Sequence, residues 1–332
     1  MKLLRTMGQI FTSTQFYLHG KKHSTQTGYI RHVQNYKSAR QLSPVMTGEG
    51  SDGVDLTGKT IVVTGANSGI GFEIASYLAS KNANVNLFCR NEARASAAVD
   101  KIKMATNNEN VQFTVCDVSS KTSVEKCANT IDELDVLVCN AGVLKNEREV
   151  TADGFEVTVA SHLIFGSYYL TKLLMPALRN NKGRVIYVSS GGMYNTKFPV
   201  WTKALSLPPE GFSGNMAYAY AKRGQVLLAE RFSAEELSVN FVSCHPGWVD
   251  TPAVEEAYGS SKRYLEPMRT PWQGAEGICW LASCKDSCLE RGGFYLDRSP
   301  QKKHLGSRTE NTEKEVGELV SKLEECCQFK DA

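Results

Sequence analysis

The sequence predicts a single α/β domain built on one Rossmann-type, doubly wound parallel sheet with helices on both faces. Three observations carry that expectation. From Asp55 onward, short β-branched apolar runs alternate with longer amphipathic stretches. The runs are hydrophobic along their whole length, as strands covered on both faces are. The first of them ends in a glycine turn that opens a helix, and right-handed crossovers then wind the sheet in both directions.

In chain order, a strand at Thr60–Thr64 precedes a helix from Ile70, and a strand at 85–89 precedes a helix from Glu92. A strand at 111–116 leads into a helix opened by Ser119-Ser120 and closing near Leu134. A strand at 136–139 is followed by one long helix over about 155–178. The strand at 184–188 runs through a long loop to a helix at 217–236. Strand 239–244, a helix near 272–281 and a last strand at 294–296 complete the domain, which spans residues 56–300. Residues 1–55 read as a basic N-terminal extension and linker. Residues 301–332 form a tail whose terminal helix places Val316, Leu319, Val320 and Leu323 on one side.

Composition removes several function classes. With 42% hydrophobic and 22% charged residues, the 332-residue chain is neither fibrous nor wholly disordered. No apolar run approaches the roughly 20 residues of a spanning helix. The net charge of +3 conceals seven basic and no acidic residues in 1–48. The remainder carries 31 basic against 35 acidic residues, a net of −4, which speaks against nucleic acid as a partner. Ten cysteines without a Cys-x-x-Cys pair suggest a reducing compartment and no metal. Cys279, Cys284 and Cys288 read as a helix followed by a loop rather than a zinc site. In the arm, Leu3, Met7, Ile10 and Leu18 can share a helical face beside Lys2 and Arg5. That pattern fits a mitochondrial presequence, a helix on an anionic membrane surface through residues 1–48, or a loosely docked extension. The location expected is intracellular, cytoplasmic or mitochondrial.

The first strand ends in Thr64-Gly65-Ala66-Asn67-Ser68-Gly69-Ile70-Gly71. Helix N–H groups pointing out of such a turn suit a pyrophosphate. Gly65 permits the tight turn, Gly69 the approach of the phosphates, and Gly71 close packing of helix on sheet. The second strand closes on Cys89-Arg90-Asn91, without the carboxylate that would bind a ribose 2′-hydroxyl. Arg90 there favours NADP(H) over NAD(H), clamping the extra phosphate, against the plainer reading of a surface arginine at a helix start. Asp117 is placed to meet the adenine, and Asn140-Ala141-Gly142 to flank the phosphates and the nicotinamide ribose.

Hydride transfer to a carbonyl leaves an alkoxide that needs a proton. A phenol brought from its usual pKa near 10 to about 7 by a neighbouring cation requires roughly 4 kcal/mol of differential stabilisation. Tyr and Lys four apart on a helix can supply that pair. The pattern occurs five times, at Tyr17/Lys21, Tyr77/Lys81, Tyr168/Lys172, Tyr218/Lys222 and Tyr258/Lys262. Only Tyr218/Lys222 opens a helix that follows a strand ending in hydroxyls, Ser189 and Ser190. Ser190, at the carboxyl edge of the sheet, is expected over the nicotinamide.

These motifs, with Pro246-Gly247, resemble the short-chain dehydrogenase/reductase family over roughly residues 56–300. The resemblance implies Ser190 as the substrate-orienting hydroxyl, Tyr218 as acid/base, and Lys222 as its pKa-lowering, ribose-binding partner. It also implies contacts from Pro246, Gly247 and Thr251 to the nicotinamide. In one respect the chain departs: the family's usual helix Asn is missing, and the stretch reads Ser161-His162-Leu163-Ile164-Phe165-Gly166. Either His162 or a backbone carbonyl takes over the proton relay, or proton delivery is impaired. An alternative follows, a nucleotide-binding relative with weak or no catalysis that acts by interaction or redox sensing.

The substrate is expected to be a small molecule, a lipophilic carbonyl or alcohol. Met193, Tyr194, Phe198, Trp201, Leu205 and Phe212 lie in the loop after Ser190. Tyr258, Tyr264, Leu265 and Met268 lie in the loop from Pro252 to Pro271. An equally weighted reading has these residues pinning the loops to the sheet. Oligomeric state is not legible.

Overall fold

The computed structural model describes residues 2–36, 53–201, 210–251, 254–255 and 259–328. Seven parallel strands and one short antiparallel strand form a single sheet in the order β3-β2-β1-β4-β5-β6-β7-β8. They are β1 Thr60–Thr64, β2 Asn84–Cys89, β3 Val111–Val115, β4 Val136–Cys139, β5 Arg184–Val188, β6 Asn240–Cys244, β7 Phe294–Leu296 and β8 Ser299–Pro300. The order reverses between β1 and β4, so their carboxyl ends open the crevice in which such sheets bind ligands.

Alternate side chains of each strand enter opposite cores. Val62, Leu137, Val185 and Phe241 face one layer; Ile61, Val63, Val138, Ile186 and Val242 face the other. The second layer is covered by α3 Gly69–Ser80, α4 Glu92–Thr106 and α9 Pro271–Ser283. The first is covered by α5 Lys121–Ala128, a long helix in three parts, α8 Gly214–Glu235 and α10 Glu313–Cys327. In α10, Leu319 and Leu323 are buried, and Val316 and Val320 pack partly against the same core.

Three departures from the expected elements have local causes. Helix α5 stops at Ala128, ahead of Leu134. Asn129, Thr130 and Asp132 are poor helix formers, and the extended return lets the Asp135 carboxylate accept from Thr60 N at 2.9 Å. The long helix is α6 Val157–Val159, a π-helical segment Ala160–Tyr169, and α7 Leu170–Asn180. Ser167 Oγ donates to the His162 carbonyl at 2.6 Å, and Gln225 Nε2 donates to it at 3.0 Å. That carbonyl is thereby drawn out of the α-helical ladder. Finally, β8 pairs with β7 through a turn in which Asp297 and Arg298 both have positive φ, 49° and 66°. Such two-residue turns usually advertise themselves with Asn-Gly; here tertiary ion pairs hold them instead.

The N-terminal arm forms α1 Lys2–His23 and α2 Gln26–Val33. From Ser24 to Tyr36 it packs onto the domain, with Ser24, Thr25 and Tyr29 buried. The side chains of Leu3, Met7 and Ile10, the linker around 48–52, and Leu205 and Tyr258 lie outside the described residues. Among the described residues no helix is long and apolar enough to cross a membrane.

Candidate active site

The glycine turn has the conformation its sequence demands. Gly65 and Gly69 adopt φ of +67° and +57°. A Cβ on Gly71 would sit 2.4 Å from the Gly65 carbonyl oxygen, so helix α3 touches the turn at a place only glycine fits. Ser68, the N-cap of α3, makes no side-chain cap, leaving the first amides of the helix facing the crevice. Thr64 Oγ1 accepts from the amides of Asn140 and Ala141 at 3.0 and 2.9 Å, and Asn140 Nδ2 donates to the Thr64 carbonyl at 3.0 Å. These bonds tie β1 to the end of β4.

A cavity of about 300 Å³ runs from this turn along the sheet edge, past Asn67, Gly69, Ile70, Ala141, Gly142 and Thr251, to Arg90, Asn91 and Asp117. Arg94, in the first turn of α4, lines the same end. The Asp117 carboxylate accepts from the amide and hydroxyl of Ser119 at 2.9 and 2.7 Å, which fixes its orientation. A dinucleotide fits these residues: amides and glycines at the middle, cations at one end, hydroxyls at the other.

A second cavity, of about 360 Å³, adjoins the first and is lined by Ser190, Tyr218, Lys222, Pro246, Gly247 and Thr251. The nucleotide and catalytic residues singled out from the sequence, apart from the buried Thr64, therefore meet along one edge, in two cavities that share lining residues. Of the loop residues, Leu265 and Met268 line the second cavity, whereas Met193, Tyr194 and Phe198 are buried in the core, with Trp201 and Phe212 packed against it. Ser190 Oγ accepts from Gly192 N at 3.1 Å, which leaves its hydroxyl hydrogen to donate elsewhere. Tyr218 is half-buried near the start of α8, and Lys222 Nζ lies 5.5 Å from its ring centroid. Lys222 is buried and donates to the Val188 carbonyl at 2.6 Å and to Gln225 Oε1 at 3.1 Å. Burial pushes its amine down to about 7. Ser189 turns away, its hydroxyl donating to the Lys222 carbonyl. Tyr220 is buried in the core on the other side of α8.

His162 occupies the wall behind Tyr218, the two rings meeting edge-on at 5.3 Å. Its Nε2 lies 2.9 Å from the Val143 carbonyl, an acceptor, so Nε2 carries the proton. Burial, with Lys222 nearby, drives its pKa well below the imidazole range and keeps the ring neutral. Nδ1 is then a bare acceptor, buried and without a protein partner. Gly142 makes room for it: a Cβ there would fall 1.6 Å from His162 Cε1.

Three residues of this arrangement escape the sequence reading. Gln225, three after Lys222 and thus on its side of α8, was open to discovery by helical spacing. Arg94, four after Arg90, was equally within reach. Phe16 of α1 lines the second cavity, and nothing in its sequence surroundings announces that. Among the described residues no group of three or more His, Cys, Asp and Glu could hold a metal ion.

Comparison with known proteins identifies the family. The short chain dehydrogenase family model matches residues 59–202. Human "Dehydrogenase/reductase SDR family member 12" is 36% identical over 282 residues, covering 83% of this chain and 88% of that protein. The chain belongs to the short-chain dehydrogenase/reductase family. Human retinol dehydrogenase 11 is 31% identical over 277 residues, covering 79% of this chain and 85% of its own. Among solved structures, an uncharacterized protein from Mycobacterium paratuberculosis superposes with a TM-score of 0.65 at 23% identity, over 83% of this chain and 96% of its own. A short-chain dehydrogenase from Escherichia coli CFT073, solved with NADPH, has a TM-score of 0.59 at 22% identity, over 74% and 98% of the two chains. As a member of this family, the protein is an NAD(P)-dependent oxidoreductase acting on alcohol and carbonyl groups.

Proposed function

We propose that the protein interconverts a lipophilic carbonyl and its alcohol using NADP(H), with residues 56–300 as the catalytic domain. The observation that carries this reading is the convergence of Ser190, Tyr218 and Lys222 on a cavity continuous with the glycine turn. The nicotinamide cofactor, when bound, supplies or takes up the hydride. Thr64, Gly65, Asn67, Ser68, Gly69, Ile70 and Gly71 would hold the pyrophosphate; Asn140, Ala141 and Gly142 would flank it; Asp117 would meet the adenine. Pro246, Gly247 and Thr251 border the nicotinamide.

In the reductive direction the Ser190 hydroxyl donates to the substrate oxygen and fixes its position. Tyr218 gives its phenolic proton to that oxygen as negative charge develops there. Lys222, held by Val188 and Gln225, grips the ribose and, when protonated, stabilises the phenolate left behind. In the oxidative direction the same phenolate takes the proton back.

Preference for NADP(H) is supported by Arg90 and Arg94 at the adenosine end and by β2 closing without a carboxylate. A lipophilic substrate is supported by Val143, Leu144, Trp248, Val254, Leu265 and Met268 around the second cavity, and by the name of the retinol dehydrogenase relative. Turnover of a panel of aldehydes, ketones and alcohols with each nucleotide tests the proposal. It predicts reduction of long-chain aldehydes with NADPH and a clear disadvantage for NADH. Tight NADPH binding without turnover of any compound would contradict it and favour a non-catalytic role.

A further inference from the structure

The N-terminal arm touches the substrate cavity. Phe16, on α1, lines the same cavity as Ser190 and Tyr218. Its ring meets Trp248 edge-on at 6.2 Å, and the side chain packs against the cluster formed by Met193, Tyr194, Val226 and Phe294. A Cβ built on Gly191, the residue after Ser190, would lie 3.0 Å from Phe16 Cε2.

The position of α1 is fixed at several points along the cavity's outer side. Gly20 lies flat on the Trp248 indole, so close that a Cβ would be 2.1 Å from it. Tyr17 stacks on the same indole, with centroids 6.1 Å apart. Just beyond the helix, Ser24 O accepts from Trp248 N at 2.7 Å and from Arg269 Nε at 2.9 Å. His23 O accepts from Arg269 Nη2 at 2.8 Å. Arg269 is fully buried and pairs with Asp297. Lifting the arm away would strip two carbonyl partners from a buried guanidinium, which disfavours the undocked state. The arm therefore belongs to the folded domain, anchored beside the Pro246-Gly247 turn.

We propose that helix α1 is the outer wall of the substrate site and that Phe16 is a specificity-determining residue, contacting the apolar portion of a lipophilic carbonyl whose oxygen lies at Ser190 and Tyr218. This rests on the carbonyl-oxidoreductase reading and deepens it. A short carbonyl compound reaches only the polar end of the cavity, whereas a long one lies along the Phe16 and Trp248 rings. Discrimination by chain length then resides in a segment outside the sheet and its connecting helices.

The test uses the full-length protein with Phe16→Ala and Phe16→Leu, each checked for an unchanged melting temperature. Two measurements run side by side. One is kcat/KM for decanal and propanal with NADPH; the other is calorimetric binding of decanol and propanol to the NADP-loaded protein, which needs no turnover. Phe16→Ala is expected to weaken decanol binding and decanal kcat/KM by about tenfold, and Phe16→Leu by less. Propanal turnover and NADPH affinity stay within about twofold of wild type. A wild type that binds decanol but turns nothing over refutes the catalytic reading, yet a Phe16-dependent affinity still upholds the wall. Decanol binding unaltered in both variants overturns the wall even if catalysis is intact. Failure of the wild type to bind decanol at all overturns it as well.

Discussion

Lys222 Nζ donates to Gln225 Oε1 at 3.1 Å, while Gln225 Nε2 donates to the His162 carbonyl at 3.0 Å and to Ser167 Oγ at 2.9 Å. A side-chain amide thus ties the active-site amine to the carbonyl displaced by the π-helical turn. The missing helix Asn therefore leaves no gap at the carbonyl itself. Gln225→Leu removes one of the two partners of Lys222 and both donors to the helix. Turnover is expected to fall by about tenfold to a hundredfold, since a buried hydrogen bond to a charged group is worth roughly 1.5–3 kcal/mol. Gln225→Glu restores the contact to Lys222 but not the donation to the His162 carbonyl, and by placing a carboxylate beside the amine it raises the amine's pKa. The pH–rate profiles of the two variants, compared with wild type, check both statements.

The buried amine also links stability to pH. Burial holds Lys222 at about 7, against an ordinary 10.5. Below about pH 7 folded and unfolded chains are both protonated there, and the cost of burying the charge, up to roughly 5 kcal/mol, is fully felt. Between about 7 and 10 the unfolded chain binds the proton and the folded chain does not, so stability rises with pH. Without nucleotide, Lys222→Met should raise the melting temperature at neutral pH, with the gain shrinking as pH approaches about 10. A gain independent of pH would contradict this assignment.

At the adenosine end, Arg90 and Arg94 line one cavity wall four residues apart. Replacing either with Ala is expected to weaken NADPH binding by about tenfold and NADH binding by less than about twofold. The double variant should bind the two nucleotides about equally. Fluorescence titration of each nucleotide measures this directly.

Gly142 and His162 are mutually dependent, because the imidazole fills the space a Cβ would need. Gly142→Ala should destabilise the protein by about 2 kcal/mol or more. Adding His162→Ala should recover part of that loss, whereas His162→Ala alone leaves a cavity. Denaturant unfolding of the three variants closes the cycle.

What could be read in advance, and what could not, divides along physical lines. The strands were legible because burial on both faces demands unbroken apolar runs, as at Ile61-Val62-Val63. The glycine turn was legible because Gly65 and Gly71 answer backbone constraints that no other residue satisfies. Tyr218/Lys222 could be set apart from the four other Tyr-x-x-x-Lys pairs because strand ends and helix starts converge at one edge of the sheet. The π-helical turn was hidden, since it arises from Ser167 and Gln225 reaching one carbonyl, and Gln225 lies 63 positions from His162. The docking of the arm was hidden for the same reason: Ser24 and Arg269 are 245 positions apart, and no local propensity encodes their bond.

We propose Tyr218 as the proton donor of an NADP(H) site. Single-turnover oxidation of NADPH by a long-chain aldehyde, in wild type and Tyr218→Phe at equal nucleotide saturation, tests it most directly. Tyr218→Phe is expected to lose at least about a thousandfold in rate while its NADPH affinity stays within about threefold. A Tyr218→Phe protein that reduces the aldehyde at the wild-type rate would contradict it.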